Sequence, residues 1–359
     1  MLRALKLARK GKTAPNPMVG AVLVKKNKII AEGFHPYAGG PHAEIVALKK
    51  AGNKAKGADL YVNLEPCCHK GRTPPCTDAI IQAGVRRVFA GMKDPNKLVQ
   101  GKGVRALQAA GIKVSTGLME TECKKLNEVF AKVIKTGMPF VTVKTAMSLD
   151  GKIATRKGDS KWISGIKSRT FVHELRNQND AVLVGTNTIL KDNPQLTCRL
   201  KRKRVSHPVR IVLDRENKIS LKAKVFANSK VQRVIYVSGP GLSAKKEKLL
   251  VRKKIEVING KTEKSGFDLK HLMKLLLQKD LTSILIEGGS EINSSAFSAG
   301  IVDRVYAFIC PVLIGGRNAP GPIGGLGFDK IAKALSLKNM KVVQFGDDLM
   351  VEAEPCSAE

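Results

Sequence analysis

One histidine, one glutamate and two cysteines constrain this 359-residue chain more than any other feature. They fall as His42-Ala43-Glu44, then Pro66-Cys67, then Cys76. One imidazole and two thiolates supply three ligands for Zn²⁺ and leave a fourth position where water can be acidified toward neutrality. A fold that uses them must bring three separate stretches of chain to one point. Glu44 stands two residues past the histidine, at the start of a helical stretch, where it can approach that water without occupying the metal.

The spacing departs from the P-C-x-x-C of zinc deaminases. Eight residues, Cys68-His69-Lys70-Gly71-Arg72-Thr73-Pro74-Pro75, separate Cys67 from Cys76. They add polar and basic groups near the metal, and Pro74-Pro75 favours a fixed start to the next helix at Cys76. Helical N–H donors are then expected beside the Cys76 sulfur, lowering its pKa. Cys68 and His69 are rival ligands, and Cys67 is preferred because it directly follows Pro66. Seven cysteines in such a chain are unexceptional, so packed thiols are the plain alternative. A structural zinc is another, although it would ordinarily want a fourth protein ligand.

The chain exceeds the size at which one core keeps growing, so two domains are expected. No run of eighteen apolar residues and no signal-peptide pattern occurs, and Met1 to Ala8 reads as a helix. A reducing, cytoplasmic setting and no membrane partner follow. The net charge of +33 raises the question of a polyanion such as RNA. Basic residues are spread out, however, with a dense cluster only at Arg199, Lys201, Arg202, Lys203 and Arg204, and aromatics are 4%. No nucleic-acid partner is expected.

Alternating strand and helix patterns run through the first half: strands at Val19 to Val24, Ile29 to Gly33, Asp59 to Leu64, Arg87 to Ala90 and Ile112 to Ser115, and helices at Ala43 to Ala51, Cys76 to Ala83 and Gly103 to Ala110. Gly137-Met138-Pro139 resets the pattern and sets a boundary near residue 138. Further strands are expected at Phe140 to Lys144, Ala181 to Gly185, Val209 to Asp214, Val234 to Ser238, Ile255 to Ile258, Ser283 to Glu287, Val305 to Ile314, Val342 to Phe345 and Leu349 to Ala353. The fold class is α/β in two different domains.

With Pro15-Asn16-Pro17-Met18-Val19-Gly20, Glu65-Pro66-Cys67 through Cys76 and Asp94-Pro95-Asn96 added, the chain resembles the bifunctional riboflavin-biosynthesis deaminase/reductase family. Ser148 to Ala154, Trp162-Ile163-Ser164, Asp192-Asn193-Pro194, Leu196 to Arg199 and Glu287-Gly288-Gly289 extend the resemblance into the second half. It implies a cytidine-deaminase-like three-layer domain over residues 1–137, using Zn²⁺, and a dihydrofolate-reductase-like domain over residues 138–359, using NADPH. It implies phosphoribosylated pyrimidine substrates and a homo-oligomer. His42, Cys67 and Cys76 match the family's metal ligands and Glu44 its catalytic acid–base. Ala146, Trp162, Thr188, Asp192, Arg215 and the stretch Gly289, Ser290, Glu291, Ile292, Asn293, Ser294 and Ser295 match cofactor positions. Ser160, Arg176, Leu196, Arg199 and Glu287 match substrate positions. Lys70, Lys97 and a short first helix depart from the family's pattern.

The residues support these assignments unevenly. Glu287-Gly288-Gly289 leaves an apolar strand and begins a helix, which suits phosphate, yet a Gly-Gly turn is also a plain connection. Arg176 and Arg199 suit phosphate by their fork, though a solvated surface is the ordinary place for arginine. Trp162 either stacks on a ring or fills a core. Asn16, His35 and Asp94 read as loop residues, and the resemblance brings Asn16 and the Asp94 loop near the deaminase pocket. A nucleic-acid-editing deaminase and a chain whose second half only binds or regulates are the competing function classes.

Overall fold

Lys26 and Asn27 both adopt left-handed backbone (φ 48° and 58°), the conformation that closes a tight two-residue hairpin. They join strand β1 (Gly20–Lys25) to antiparallel β2 (Lys28–Phe34). The structure, a computed structural model, describes residues 1–69, 74–97, 99–202, 205–263 and 266–356. Lys70 and Gly71-Arg72-Thr73 of the cysteine segment, and Lys203 and Arg204 of the basic cluster, lie outside the described residues. The chain divides into two units, Met1–Met138 and Pro139–Glu359.

In the first unit a five-stranded sheet has the order β2-β1-β3-β4-β5, with β3 at Asp59–Val62, β4 at Arg87–Ala90 and β5 at Lys113–Thr116. The last three are parallel, so each reversal passes through a helix: α3 (Cys76–Gln82) and then α4 (Lys102–Ala109). Helices α1 (Leu2–Ala8) and α2 (Ala43–Ala51) frame the hairpin. Strand alternation distributes the core between two faces. Ala21 and Leu23 join Ala43, Ala47 and Ile80 in one cluster, whereas Val22 joins Ala4 and Leu7 in another. The sheet therefore lies between helical layers. Fully burying each aliphatic side chain contributes about 1.5–3 kcal/mol.

In the second unit nine strands have the order β10-β9-β8-β7-β13-β6-β14-β16-β15. They are β6 (Phe140–Ser148), β7 (Ala181–Gly185), β8 (Val209–Asp214), β9 (Val234–Ser238), β10 (Glu256–Asn259), β13 (Ser283–Ile286), β14 (Arg304–Cys310), β15 (Leu337–Phe345) and β16 (Asp348–Pro355). Seven run parallel from β10 to β14, and the hairpin β15–β16 adds antiparallel. Every residue of β7, β9 and β13 is buried, as expected of parallel strands covered on both faces. The helices are α7 (Ile166–Gln178), α8 (Thr186–Asp192), α9 (Ala244–Arg252), α10 (Leu269–Leu277) and α11 (Ser290–Ser298). Ser243 caps α9 by accepting from the Lys246 amide, and Asp268 caps α10 by accepting from that of His271. Two-residue strands β11 (Thr262–Glu263) and β12 (Gly266–Phe267) pair beside the sheet.

Two sequence expectations shift. The strand expected over Val305 to Ile314 stops at Cys310, where Pro311 removes the ladder donor. Helices α5 (Glu120–Leu126) and α6 (Glu128–Thr136) occupy a stretch to which the sequence reading assigned no element. Among the described residues no helix is long and apolar enough to cross a membrane.

Gly33 sets the distance between β2 and α2, because a Cβ there would fall 2.2 Å from the Ala43 carbonyl oxygen and 2.6 Å from the Ala47 amide. Since α2 starts at the residue after His42, Gly33→Ala is expected to push that helix outward. The cost expected of such overpacking is about 1–3 kcal/mol. Thermal unfolding should show a lowered midpoint for the first unit together with weaker zinc retention, and an unchanged midpoint would refute this account of the packing.

Candidate active sites

His42 stands at the N-cap of α2 and Cys76 is the first residue of α3, while Cys67 lies in the loop that leaves β3. The structure brings the three together. His42 Nδ1 is 3.2 Å from Cys76 Sγ and 3.5 Å from Cys67 Sγ, and the three donor atoms all lie within 4.8 Å of one another. Among the described residues no fourth side chain belongs to the group, and Cys68 and His69 are not part of it. One imidazole and two sulfurs at this spacing match zinc's preference for nitrogen and thiolate ligands.

The Cys76 amide, the first N–H of its helix, points at Cys67 Sγ at 3.4 Å. The helix end therefore serves the first sulfur, not the second as the sequence reading expects. Hydrogen bonds from the Cys76 thiol and from His42 hold the Cys67 thiol down to about 4, and the same Cys67 thiolate pushes the Cys76 thiol up. Glu44 is 4% exposed, and burial, reinforced by the Cys67 thiolate, pushes its carboxyl up to about 7.

Asn16, His35 and Asp94 gather at the same site. His35 is buried, which lowers its pKa and favours neutral imidazole. Its Nδ1 donates to the Pro41 carbonyl at 3.0 Å, so Nε2 accepts from Asn16 Nδ2 at 3.2 Å. Its ring meets His42 edge-on at 5.5 Å between centroids. Burial pushes the Asp94 carboxyl up to about 6, with Glu65 and Cys67 adding to the rise. Sequence reasoning gave Glu65 no separate role. It is buried, and its carboxylate accepts from the amides of Asp94 (3.1 Å), Gly101 (2.9 Å) and Val104 (3.1 Å).

A cleft of about 1000 Å³ opens in the second unit, at the C-terminal ends of its parallel strands. Ala146, Trp162, Thr188, Asp192, Arg215, Gly289, Ser290, Glu291, Ile292, Asn293 and Ser295 line it, as do Ser160, Arg176, Leu196, Arg199 and Glu287. Ser294 is not among the lining residues. It faces Gly325, where a Cβ would come within 2.4 Å of its hydroxyl. Gly288 (φ 139°) and Gly289 (φ 94°) carry the chain from β13 into α11 in a conformation other residues rarely adopt. Asn293 donates to the Pro322 carbonyl at 2.8 Å, while its buried Oδ1 has no partner among the described residues. A glycine cradle, a helix start and an orphaned buried acceptor on one wall fit a large phosphate-bearing cofactor.

Two lining residues depart from the ordinary view of their type. The Arg176 fork is buried and occupied: Nε and Nη2 donate to Glu287 at 2.5 and 2.7 Å, and Nη1 donates to the Thr197 carbonyl at 3.0 Å. Trp162 is 71% exposed, with the Arg169 guanidinium 4.7 Å above its ring, and so fills no core. Leu196 belongs to the core cluster beside the cleft and has left-handed backbone (φ 55°). Ser160 Oγ donates to Asp192 Oδ1 at 3.1 Å. Asp150 of the Ser148 to Ala154 motif is a staple between loops, accepting from Ser148 Oγ and the Ile314 and Gly315 amides. Lys144 was missed. It lines the cleft from β6, and burial lowers its pKa, with Arg176 acting the same way and Glu287 and Cys310 opposing. A lysine inside an otherwise apolar and threonine-rich strand was the available signal.

Residues 139–351 match the family described as the RibD C-terminal domain, and residues 1–92 match the cytidine and deoxycytidylate deaminase zinc-binding region. The riboflavin biosynthesis protein RibD of Aquifex aeolicus is 45% identical over 98% of this chain and 96% of its own length. That of Escherichia coli is 40% identical over 97% of this chain and 96% of its own. The crystal structure of a diaminohydroxyphosphoribosylaminopyrimidine deaminase/5-amino-6-(5-phosphoribosylamino)uracil reductase from Thermotoga maritima superposes with a TM-score of 0.85 at 41% identity, covering 99% of this chain and 97% of that one. RibD of Acinetobacter baumannii gives 0.87 at 37% identity with the same coverage. The chain belongs to the RibD family of riboflavin-biosynthesis proteins.

Proposed function

We propose that this chain catalyses two successive steps of riboflavin biosynthesis. The first is hydrolytic deamination of 2,5-diamino-6-(5-phosphoribosylamino)pyrimidin-4(3H)-one to 5-amino-6-(5-phosphoribosylamino)uracil. The second is NADPH-dependent reduction of the ribosyl group to ribityl. The observation that carries this reading is the pairing, in one chain, of a three-donor nitrogen–sulfur site beside buried Glu44 with a glycine-cradled cleft.

In the deaminase unit, over residues 1–137, His42, Cys67 and Cys76 would hold the zinc. Zinc, when bound, supplies a Lewis acid that brings the pKa of water toward neutrality. Glu44 takes a proton from the attacking water and delivers one to the departing amine. The carbon–oxygen bond forms at C2, the carbon–nitrogen bond breaks, and ammonia leaves. A carboxyl near 7 both accepts and releases protons at neutral pH. The Asn16 amide, oriented by His35, and the loop at Asp94 would hold the pyrimidine edge.

In the reductase unit, over residues 138–359, Ala146, Trp162, Thr188, Asp192, Arg215 and the stretch from Gly289 to Ser295 would hold the cofactor. Ser160, Leu196, Arg199 and Glu287 would hold the phosphoribosylated pyrimidine, with Arg176 fixing Glu287. NADPH, when bound, supplies the hydride. The bond between C1 and the ring oxygen breaks, hydride is received at C1, and Lys144 gives a proton to the ring oxygen. A cytoplasmic setting is supported by seven cysteines that are all free. A homo-oligomer is supported by β15, the outer strand of its sheet. It is exposed from Leu337 to Gln344 and carries Met340 at 68% and Val342 at 58% exposure.

Glu44→Gln should bind zinc as the wild type does, in metal analysis, and release ammonia about 10²- to 10⁴-fold more slowly while still oxidising NADPH with the uracil substrate. Wild-type deamination in that variant would refute the assigned role. Lys144→Met should lose NADPH oxidation and keep ammonia release. Because the ammonium form is the proton donor, wild-type reduction should be present at low pH and fall as pH rises through a value below the ordinary lysine range; a rate flat through that range would exclude Lys144 as the acid. Light scattering should give at least twice the mass of one chain, and a monomer would remove the oligomer from this reading.

A further inference from the structure

The loop that carries Asn16 into the deaminase site has few backbone donors with which to tie itself down. Pro15 and Pro17 lack an N–H. The Asn16 amide turns back to the Thr13 carbonyl at 2.6 Å, and Thr13 Oγ1 donates to the Asn16 carbonyl at 3.0 Å. The first amide after Pro17 is that of Met18, and its partner lies 109 residues along the chain: it donates to Asn127 Oδ1 at 2.8 Å. Asn127 Nδ2 donates in return to the Met18 carbonyl at 3.1 Å. Asn63 Nδ2 donates to the same carbonyl at 2.9 Å, while Asn63 Oδ1 accepts from the Gly20 amide at 2.8 Å.

Both asparagines are buried. A carboxamide carries a donor and an acceptor side by side, so it can satisfy the N–H and C=O of one residue at once, which a carboxylate cannot. Asn127 stands at the junction of α5 and α6, and its main chain serves both helices: its amide donates to the Cys123 carbonyl at 3.2 Å and its carbonyl accepts from the Ala131 amide at 2.9 Å. Cys123 and Leu126 of α5 pack into the main core of the first unit. The clamp on Met18 is thus held from the body of the unit. None of its bonds involves His42, Cys67, Cys76 or Glu44, which come from the starts of α2 and α3 and the loop after β3.

We propose that Asn127, with Asn63 beside it, is a positioning residue for deamination. By fixing Met18 it sets where the Asn16 carboxamide meets the pyrimidine edge, and so it acts on substrate binding and not on the hydrolytic step. The proposal rests on reading Asn16 as a substrate contact.

The test is ammonia release by the full-length, zinc-loaded chain as the concentration of the diaminopyrimidine substrate is varied, with zinc content and thermal midpoint measured on the same preparations. Asn127→Leu removes both partners from Met18 in a side chain of similar size. It should raise KM at least about tenfold, the scale of one buried hydrogen bond. Its kcat should stay within about twofold of wild type, because only binding is lost. Asn16→Ala should also raise KM, and adding Asn127→Leu to it should change KM by less than about twofold, because the clamp works through Asn16. Asn127→Asp keeps an acceptor for the Met18 amide and loses only the donor, so it supplies a second variant should leucine fail to fold; its KM should rise by a smaller factor. Wild-type KM in both Asn127 variants beside a raised KM in Asn16→Ala, or a fall in kcat and zinc content at constant KM, would overturn the clamp alone. Wild-type KM in Asn16→Ala would take down the substrate contact and the clamp together.

Discussion

Parallel strands cannot be joined by tight turns, so every chain reversal in them needs a crossover and all strands leave the sheet at one edge. That constraint builds both sites. In the first unit the loops leaving β3 and β4 carry Cys67 and Asp94, and the crossover helix between those strands begins at Cys76. In the second, the ends of β7, β8 and β13 carry Thr188, Arg215 and Glu287 into one cleft. Side chains far apart in sequence meet because they share an edge.

The two sites also share an electrostatic device. A buried carboxyl in one is raised toward neutrality, and a half-buried ammonium in the other is lowered from its usual range. Desolvation is the leading cause in both. Its sign differs because the charged form is the deprotonated one for Glu44 and the protonated one for Lys144. Burial thus moves a carboxyl and an ammonium in opposite directions by one physical effect.

Much of this was legible in the sequence where chemistry depends on residue type. Histidine, cysteine and glutamate at fixed spacing announce a metal site before any geometry is known, and continuous apolar runs announced β7, β9 and β13. What escaped depends on partners distant in the chain. Arg176 reads as a surface cation until Glu287, 111 residues on, takes its fork. The destination of the Cys76 amide could not be read from a proline pair. Asp214 is an acid in the sequence and a saturated internal acceptor in the fold. Residues 120–136 lack the strong punctuation that marked other elements, so their two helices went unassigned.

Glu65 refers three amides, from the loop at Asp94 and the start of α4, to the residue two places ahead of Cys67. Those donors are main chain, and every amino acid but proline offers the same one. The surrounding loop can therefore change its side chains, as at exposed Lys97, while the sulfur keeps its position. Substitutions in that loop can therefore change its chemistry while the cysteine beneath it stays where it is.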